Sequence, residues 1–310
     1  MEDIQDLLDT ITAFARDKTE EGAPAVYIPE LAQTDPSLFS LSMTTVDGAS
    51  RSSGDRGSLF SMQSVSKAAA LCFAIEALGR DRVFSKIGMG PCSEPFNSIM
   101  KLEMSSCIPL NPFINAGAIV LAGMLIEQFQ AAAIAEVMDF FSRLMGRQSR
   151  GSLHINEGVY RSEKGTADRN RALAYFLHNA GTLGGDVEEA LDLYFKLCSI
   201  EVNTADLSVM GATLAAGGRN PVSGAEIMSL DTVYIVTGLM SVCGLYDQSA
   251  EFAVEVGVPA KSGVSGGIFC AVPGRMGLAV FSPPLNKSGN SVAGILALAA
   301  LSRKLKLRGI

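Results

Sequence analysis

Two stretches of this chain place a serine three residues before a lysine: Ser64-Val65-Ser66-Lys67 and Ser98-Ile99-Met100-Lys101. A serine hydroxyl attacks a carbonyl carbon only after a base removes its proton, and a lysine can be that base when burial and its neighbours lower its pKa. In a helix, a spacing of three puts both side chains on one face. The helix N-terminus then favours the negative charge that develops during attack. The residues after Lys67, "AAALCFAIEALG", are apolar and end at a glycine, so the first pair sits where a helix begins. Ser66 adjoins the lysine, points around the helix and reads as structural. Ser-x-x-Lys alone is a weak signal, as its second copy shows.

What separates the two copies is a later element, Lys261-Ser262-Gly263, at the start of a strand pattern. Serine acyl-transferases of the penicillin-binding and class A β-lactamase type combine Ser-x-x-Lys at a helix start with Lys-[Ser/Thr]-Gly on a sheet edge. There the glycine lets substrate lie against the strand, and backbone N–H groups hold the oxyanion. Ser98 lies in a Pro/Asn-rich stretch with no such context. Gly263-Val264-Ser265-Gly266-Gly267 also matches Gly-x-Ser-x-Gly, but that nucleophile elbow requires a following helix and a later histidine. Strand residues follow Ser265, and no histidine follows His178. A Ser-Asp-Asn element between the two motifs is missing, which argues against β-lactamase activity itself.

Composition narrows the chemistry further. The chain has two histidines, His154 and His178, which share no metal-ligand spacing with each other or with any cysteine. Both read as structural, so a Ser-His-Asp hydrolase or a zinc enzyme is hard to build. The formal net charge is −7, with no basic stripe to neutralise phosphates, which argues against nucleic acid. The N-terminal "MEDIQDLLDTI" is acidic and amphipathic, unlike a secretion signal. The apolar run Ala116 to Ile126 is short of the roughly 20 residues that span a bilayer and reads as a core helix. The six scattered cysteines form no C-x-x-C pair and read as buried thiols of a cytosolic protein.

The elements that must position these residues follow from periodicity. "SLFSLSMTTVDGASRSSGD" alternates apolar and polar residues around Asp47-Gly48, a hairpin between two antiparallel strands. Helical spacing predicts helices over 64–79, 116–129, 131–146, 167–180, 186–199, 205–217 and 230–243. The stretch "FAVEVGVPAKSGVSGGIFCAVPGRMGLAVFSPP" predicts strands between Gly/Pro turns, and "SVAGILALAALSRKLKL" a closing amphipathic helix. Strands at both ends with helices between them imply an α+β arrangement: one antiparallel sheet from the terminal segments, flanked by helices, with a large helical block inserted. The expectation is a single domain, 1–310, with an α/β part at about 20–66 and 245–310 and a helical part at about 67–244.

Against this background the chain resembles the serine-dependent glutaminases of bacteria and mitochondria, which hydrolyse L-glutamine to L-glutamate and ammonia. The resemblance is carried, in order, by "YIPEL" at Tyr27, "FSMQSVSK" around Ser64, "EPFNS" ending at Ser98, "NPFINAGAI" around Asn115, "SEKGTADRN" from Ser162 to Asn170, "LAAGGRNP", "GLYDQSAEFAVEVGVPAKSGVSGGI" from Gly244, and "FSPPLNKSGNS". It covers nearly the whole chain. It implies a β-lactamase/penicillin-binding-protein-like fold, no cofactor, no metal, no membrane or nucleic-acid partner, a cytoplasmic setting and self-association to a dimer or tetramer.

The resemblance also implies roles. Ser64 is the nucleophile and Lys67 its base, in a Ser–Lys acyl-enzyme mechanism. Tyr27 and Tyr246 orient or relay the proton, with Tyr246 the favoured donor to the leaving ammonia. The N–H groups of Ser64 and Val264 hold the oxyanion. Gln63 contacts substrate from the adjoining position. Glu163 suits the α-ammonium of glutamine, and Asn115, Asn170 and Tyr194 suit the α-carboxylate and amide. Each has a plainer alternative: Gln63 a structural side chain, Glu163 a solvated loop carboxylate, Asn115 and Asn170 helix caps, Tyr194 a core aromatic. Lys261 either pairs with a carboxylate, assists electrostatically, or is a structural strand-end lysine. The late string departs from the family pattern at Asn286, where the family carries Asp, and at Ala293, where it carries a basic residue. The alternative function is a serine peptidase or β-lactamase-like acyl hydrolase on the same scaffold.

Overall fold

The hairpin at Asp47-Gly48 seeds the main sheet. The computed structural model describes residues 4–91, 107–147 and 151–308; the second Ser-x-x-Lys copy, Ser98 to Lys101, and Cys92 lie outside them. β1 (Ser40–Thr45) pairs with β2 (Ser50–Gly54) from Ser40↔Gly54 to Thr44↔Ser50. On its other edge β1 takes β8 (Met276–Phe281), which continues to β7 (Gly267–Val272) and β6 (Ala260–Ser262). The order β2-β1-β8-β7-β6 is antiparallel throughout, so strands from the two ends of the chain do join in one sheet.

Both faces of that sheet are covered. Leu41 and Met43 join Ile268, Leu278 and Val280 in a cluster closed by the helices Ile4–Arg16 and Val292–Leu305. The opposite face of β1 carries Ser40, Ser42 and Thr44, which periodicity alone would turn to water. Instead they hydrogen-bond Thr204 and Ser208 of the helix Thr204–Ala215 at 2.7 Å. Small hydroxyl side chains satisfy one another there, so a polar face is buried without orphaned donors.

The predicted helices form, as Ser66–Leu78, Asn115–Phe129, Ala133–Leu144, Asp168–Asn179, Val187–Cys198, Thr204–Ala215 and Leu230–Cys243. By length and composition the stretch Asn115–Leu144 would suffice to cross a membrane. Gln130 breaks it with φ of +51°, and every residue from Asn115 to Leu125 is buried in the core of the helical block.

One expectation needs correction, and two features were not predicted. "FAVEV" is not a strand: Ser249–Glu255 is helical, because Phe252 and Val256, four residues apart, enter the sheet-side cluster together. Glu157–Gly165 is a helix too, capped by Asn156, whose side chain accepts from Val159 N; its two glycines dilute the periodicity. The helical block also holds a second sheet, β3-β5-β4, of Phe60–Ser61, Ile200–Val202 and His154–Ile155. Strands of two or three residues are too short for alternation to reveal.

Candidate active site

Ser64, the first residue of the helix expected over 64–79, lies just ahead of the observed α-helix rather than in it. It is the middle residue of a 3-10 turn, Gln63–Val65, that leads into Ser66–Leu78. The turn is anchored by Met62 N, which donates to Ile200 O at 2.8 Å, so the second sheet fixes the height of the serine. Gln63 has φ of +47°, a left-handed conformation rare for a side chain of its size. From the other side comes the end of β6. A Cβ on Gly263 would stand 2.7 Å from Met62 O and 3.3 Å from Ser64 N. The glycine of Lys261-Ser262-Gly263 is therefore required by the chain's own Ser64 turn.

Ser64 opens into a cavity of about 340 Å³ lined by Tyr27, Gln63, Asn115, Glu163, Asn170 and Tyr194, together with Thr166 and Arg169. Seven of the ten residues singled out in the sequence thus line one cavity. The other three sit behind or beside it: Lys67 is buried beneath, Tyr246 stands next to Ser64, and the Val264 side chain packs with Ile28 and Leu31 in a small apolar cluster.

Lys67 is 2 % exposed, and burial lowers its pKa to about 8, with Cys198 and Glu163 opposing that shift. Its amine donates to Asn115 Oδ1 at 2.7 Å and to Phe113 O at 3.2 Å. Asn115 in turn donates through Nδ2 to Asn170 Oδ1 at 2.9 Å. Neither asparagine caps its helix: the caps are Ile114 and Ala167, and the amides form a chain running from the lysine to the cavity wall. Only the tertiary packing of three helices separates these two uses of asparagine.

Glu163 is not a solvated carboxylate. It is 7 % exposed, and burial raises its pKa to about 7, against the pull of Gln63 and Lys67. Gln63 Nε2 reaches Glu163 Oε2 at 3.4 Å and Ser61 Oγ at 3.4 Å, so its amide links the Ser64 turn to the carboxylate. Tyr194 belongs to the core and to the cavity at once, with Lys67 Nζ 5.9 Å from its ring centroid. The Tyr246 hydroxyl is buried and faces Ser64 and Ser262; burial pushes its pKa up to about 12 while those two hydroxyls pull it down. Tyr27 stands at the mouth, 53 % exposed, yet desolvation around its hydroxyl, with Tyr246 and Glu163 nearby, raises its pKa well above the usual value.

Two contributors escaped the sequence reading. Cys198, read only as a buried thiol, packs among Lys67, Glu163, Tyr194 and Ser66. Its position four residues after Tyr194 on the same helix was the available signal. Arg169, one residue before Asn170 in "SEKGTADRN", lines the cavity as well. Of the six cysteines, Cys72, Cys198, Cys243 and Cys270 are buried and Cys107 is half-buried, each as a thiol outside any disulfide among the described residues. Among the described residues no cluster of His, Cys, Asp and Glu is arranged to hold a metal. Of the two departures, Asn286 anchors a turn by accepting from Ser288 N and Asn290 N and donating to Gln248. Ala293 is fully buried on the helix Val292–Leu305.

Residues 22–309 match the family model described as Glutaminase. A Clostridium botulinum protein named Glutaminase is 45 % identical over 302 residues, 97 % of this chain and 98 % of that protein. Glutaminase 2 of Clostridium perfringens is 41 % identical over 305 residues, covering 98 % and 99 %. Among solved structures, a probable glutaminase from Bacillus subtilis complexed with 6-diazo-5-oxo-L-norleucine superposes with a TM-score of 0.90 at 31 % identity, over 100 % of this chain and 98 % of that one.

Proposed function

This chain belongs to the glutaminase family, and from that membership we propose how its cavity performs the reaction, the hydrolysis of L-glutamine to L-glutamate and ammonia. The protein is an amidohydrolase with the β-lactamase-like fold of its structural relatives, and its family favours this activity over the peptidase or β-lactamase-like alternative. The reading of the site rests on one observation: Ser64 lines the same cavity as Glu163, with a lysine amine of lowered pKa buried behind it.

Glutamine enters with its α-ammonium toward Glu163 and its α-carboxylate and amide toward Asn115, Asn170 and Tyr194. Ser64 Oγ attacks the side-chain amide carbon as Lys67 Nζ takes the hydroxyl proton. The oxyanion is held by the N–H groups of Ser64 and Val264. As the C–N bond breaks, Tyr246 delivers its hydroxyl proton to the departing nitrogen and is reprotonated from the Lys67 ammonium, so ammonia leaves with Lys67 neutral again. Tyr27 closes the mouth and helps orient the proton. A water, deprotonated by Lys67, then attacks the glutamyl ester; Ser64 recovers its proton and glutamate departs. Phe113 O and Asn115 Oδ1 accept from the Lys67 amine and hold it beneath the cavity.

A single domain, a cytoplasmic setting, and assembly to a dimer or tetramer complete the proposal; light scattering on the purified protein tests the assembly. The decisive experiment is a coupled ammonia assay on Ser64→Ala. Its turnover of glutamine should fall by at least about 10⁴-fold with an unchanged circular-dichroism spectrum, and retained turnover would overturn the assignment.

A further inference from the structure

Lys261 has no part in that mechanism, yet it is wholly shut off from solvent. Its hydrogen bonds go to two backbone carbonyls, Gly244 O at 3.0 Å and Ser262 O at 2.6 Å, rather than to a carboxylate. Its Nζ stands 4.5 Å from the centroid of the Tyr246 ring, with the Phe113 ring at 5.9 Å. Two carbonyls and the Tyr246 face are three acceptors, the number of N–H groups an ammonium carries. Burial and the nearby Lys67 push its pKa well down, with Cys243 opposing that shift.

All three acceptors bear on one residue. Gly244 precedes Tyr246 by two positions, and its carbonyl also receives Ser262 N at 3.2 Å and Ser262 Oγ at 3.4 Å. The approach is tight enough that a Cβ on Gly244 would stand 1.7 Å from Ala260 O. Tyr246 itself has φ of +57°, a conformation that persists only where the surroundings over-determine it. Ser262, the other carbonyl partner, faces the Tyr246 hydroxyl and leads into the Gly263–Val264 corner against the Ser64 turn.

We propose that Lys261 is a positioning residue: its amine clamps the Gly244–Tyr246 segment onto β6 and holds the Tyr246 ring so that the hydroxyl addresses Ser64. The inference rests on the reading of Ser64 as nucleophile and Tyr246 as proton donor. It separates Lys261 from Lys67, since one lysine moves a proton and the other holds the group that returns one.

Lys261→Met keeps the length of the stem and removes the amine. It should lower kcat for glutamine about 100-fold while KM stays within about threefold, because Lys261 does not line the substrate cavity. With a γ-glutamyl ester of an acidic phenol, whose leaving group needs no proton, kcat/KM should fall less than about fivefold. In a Tyr246→Phe background, Lys261→Met should cost less than about threefold more, since both substitutions disable one device. Lys261→Gln, which keeps two N–H donors, should recover part of the lost rate. Equal losses on amide and ester, a full loss repeated in the Tyr246→Phe background, or unfolding of both Lys261 variants would overturn the proposal. Wild-type protein and Ser64→Ala run in the same assay keep the outcomes apart: an inactive wild type sinks the underlying mechanism, whereas an active one with an unimpaired Lys261→Met sinks only the clamp.

Discussion

The two walls of the cavity are built by different means. On the sheet side, the Ser64 turn, the end of β6 and the Gly244–Tyr246 segment meet backbone to backbone, with glycine where a Cβ would collide. On the helical side, Asn115, Glu163, Asn170 and Tyr194 project from four separate helices and touch through side-chain atoms. Backbone contacts leave little room to adjust, whereas side-chain amides can shift by rotamer. Attack on a carbonyl depends on sub-ångström placement of nucleophile and oxyanion donors, and recognition of a zwitterion tolerates more. The wall assigned the bond-making steps is therefore the rigid one.

Substitutions that confuse the two walls test this contrast most severely. Gly263→Ala puts a methyl against Met62 O and the Ser64 turn, and should lower kcat about 10²- to 10³-fold while binding of glutamate, followed by calorimetry, changes little. A large loss of glutamate affinity with kcat retained would erase the distinction. Glu163→Gln acts on the other wall. It removes the carboxylate assigned to the α-ammonium and should raise KM about 100-fold with kcat reduced less than about tenfold.

The dependence on pH sharpens the contrast with a smaller effect. Lys67 works as a base only when neutral, and its pKa is lowered to about 8, so kcat should rise about tenfold from pH 7 to pH 9. Glu163 works only when ionised, and its pKa is raised to about 7, so kcat/KM should fall more steeply below pH 7 than kcat does. In Glu163→Gln that extra steepness should vanish while the limb near pH 8 persists. A kcat that stays flat from pH 6 to pH 9 would remove Lys67 from the role of base.

Much of this was legible from order and periodicity. The terminal strands, the hairpin at Asp47-Gly48 and seven helices followed from spacing, and the Ser64–Lys67 pair stood out once Lys261-Ser262-Gly263 was set beside it. What stayed hidden had local causes. Glycines thin the pattern of the helix Glu157–Gly165, and "FAVEV" is β-prone by composition but buries a helical face. The strands Phe60–Ser61 and His154–Ile155 have two residues each, too few to show a period, although their sheet anchors the Ser64 turn.

By itself the sequence determined which reactive groups the protein owns: a serine and a lysine three residues apart, and two histidines with no shared ligand spacing. Residue type and spacing are properties of the chain. Only the tertiary structure decided that Asn115 and Asn170 serve the cavity instead of capping helices, that Glu163 is shielded from water, and that one buried lysine lies under the serine while the other lies against Tyr246. Such outcomes depend on desolvation and on contacts between segments far apart in the chain, and these exist only after the helical block has closed against the sheet.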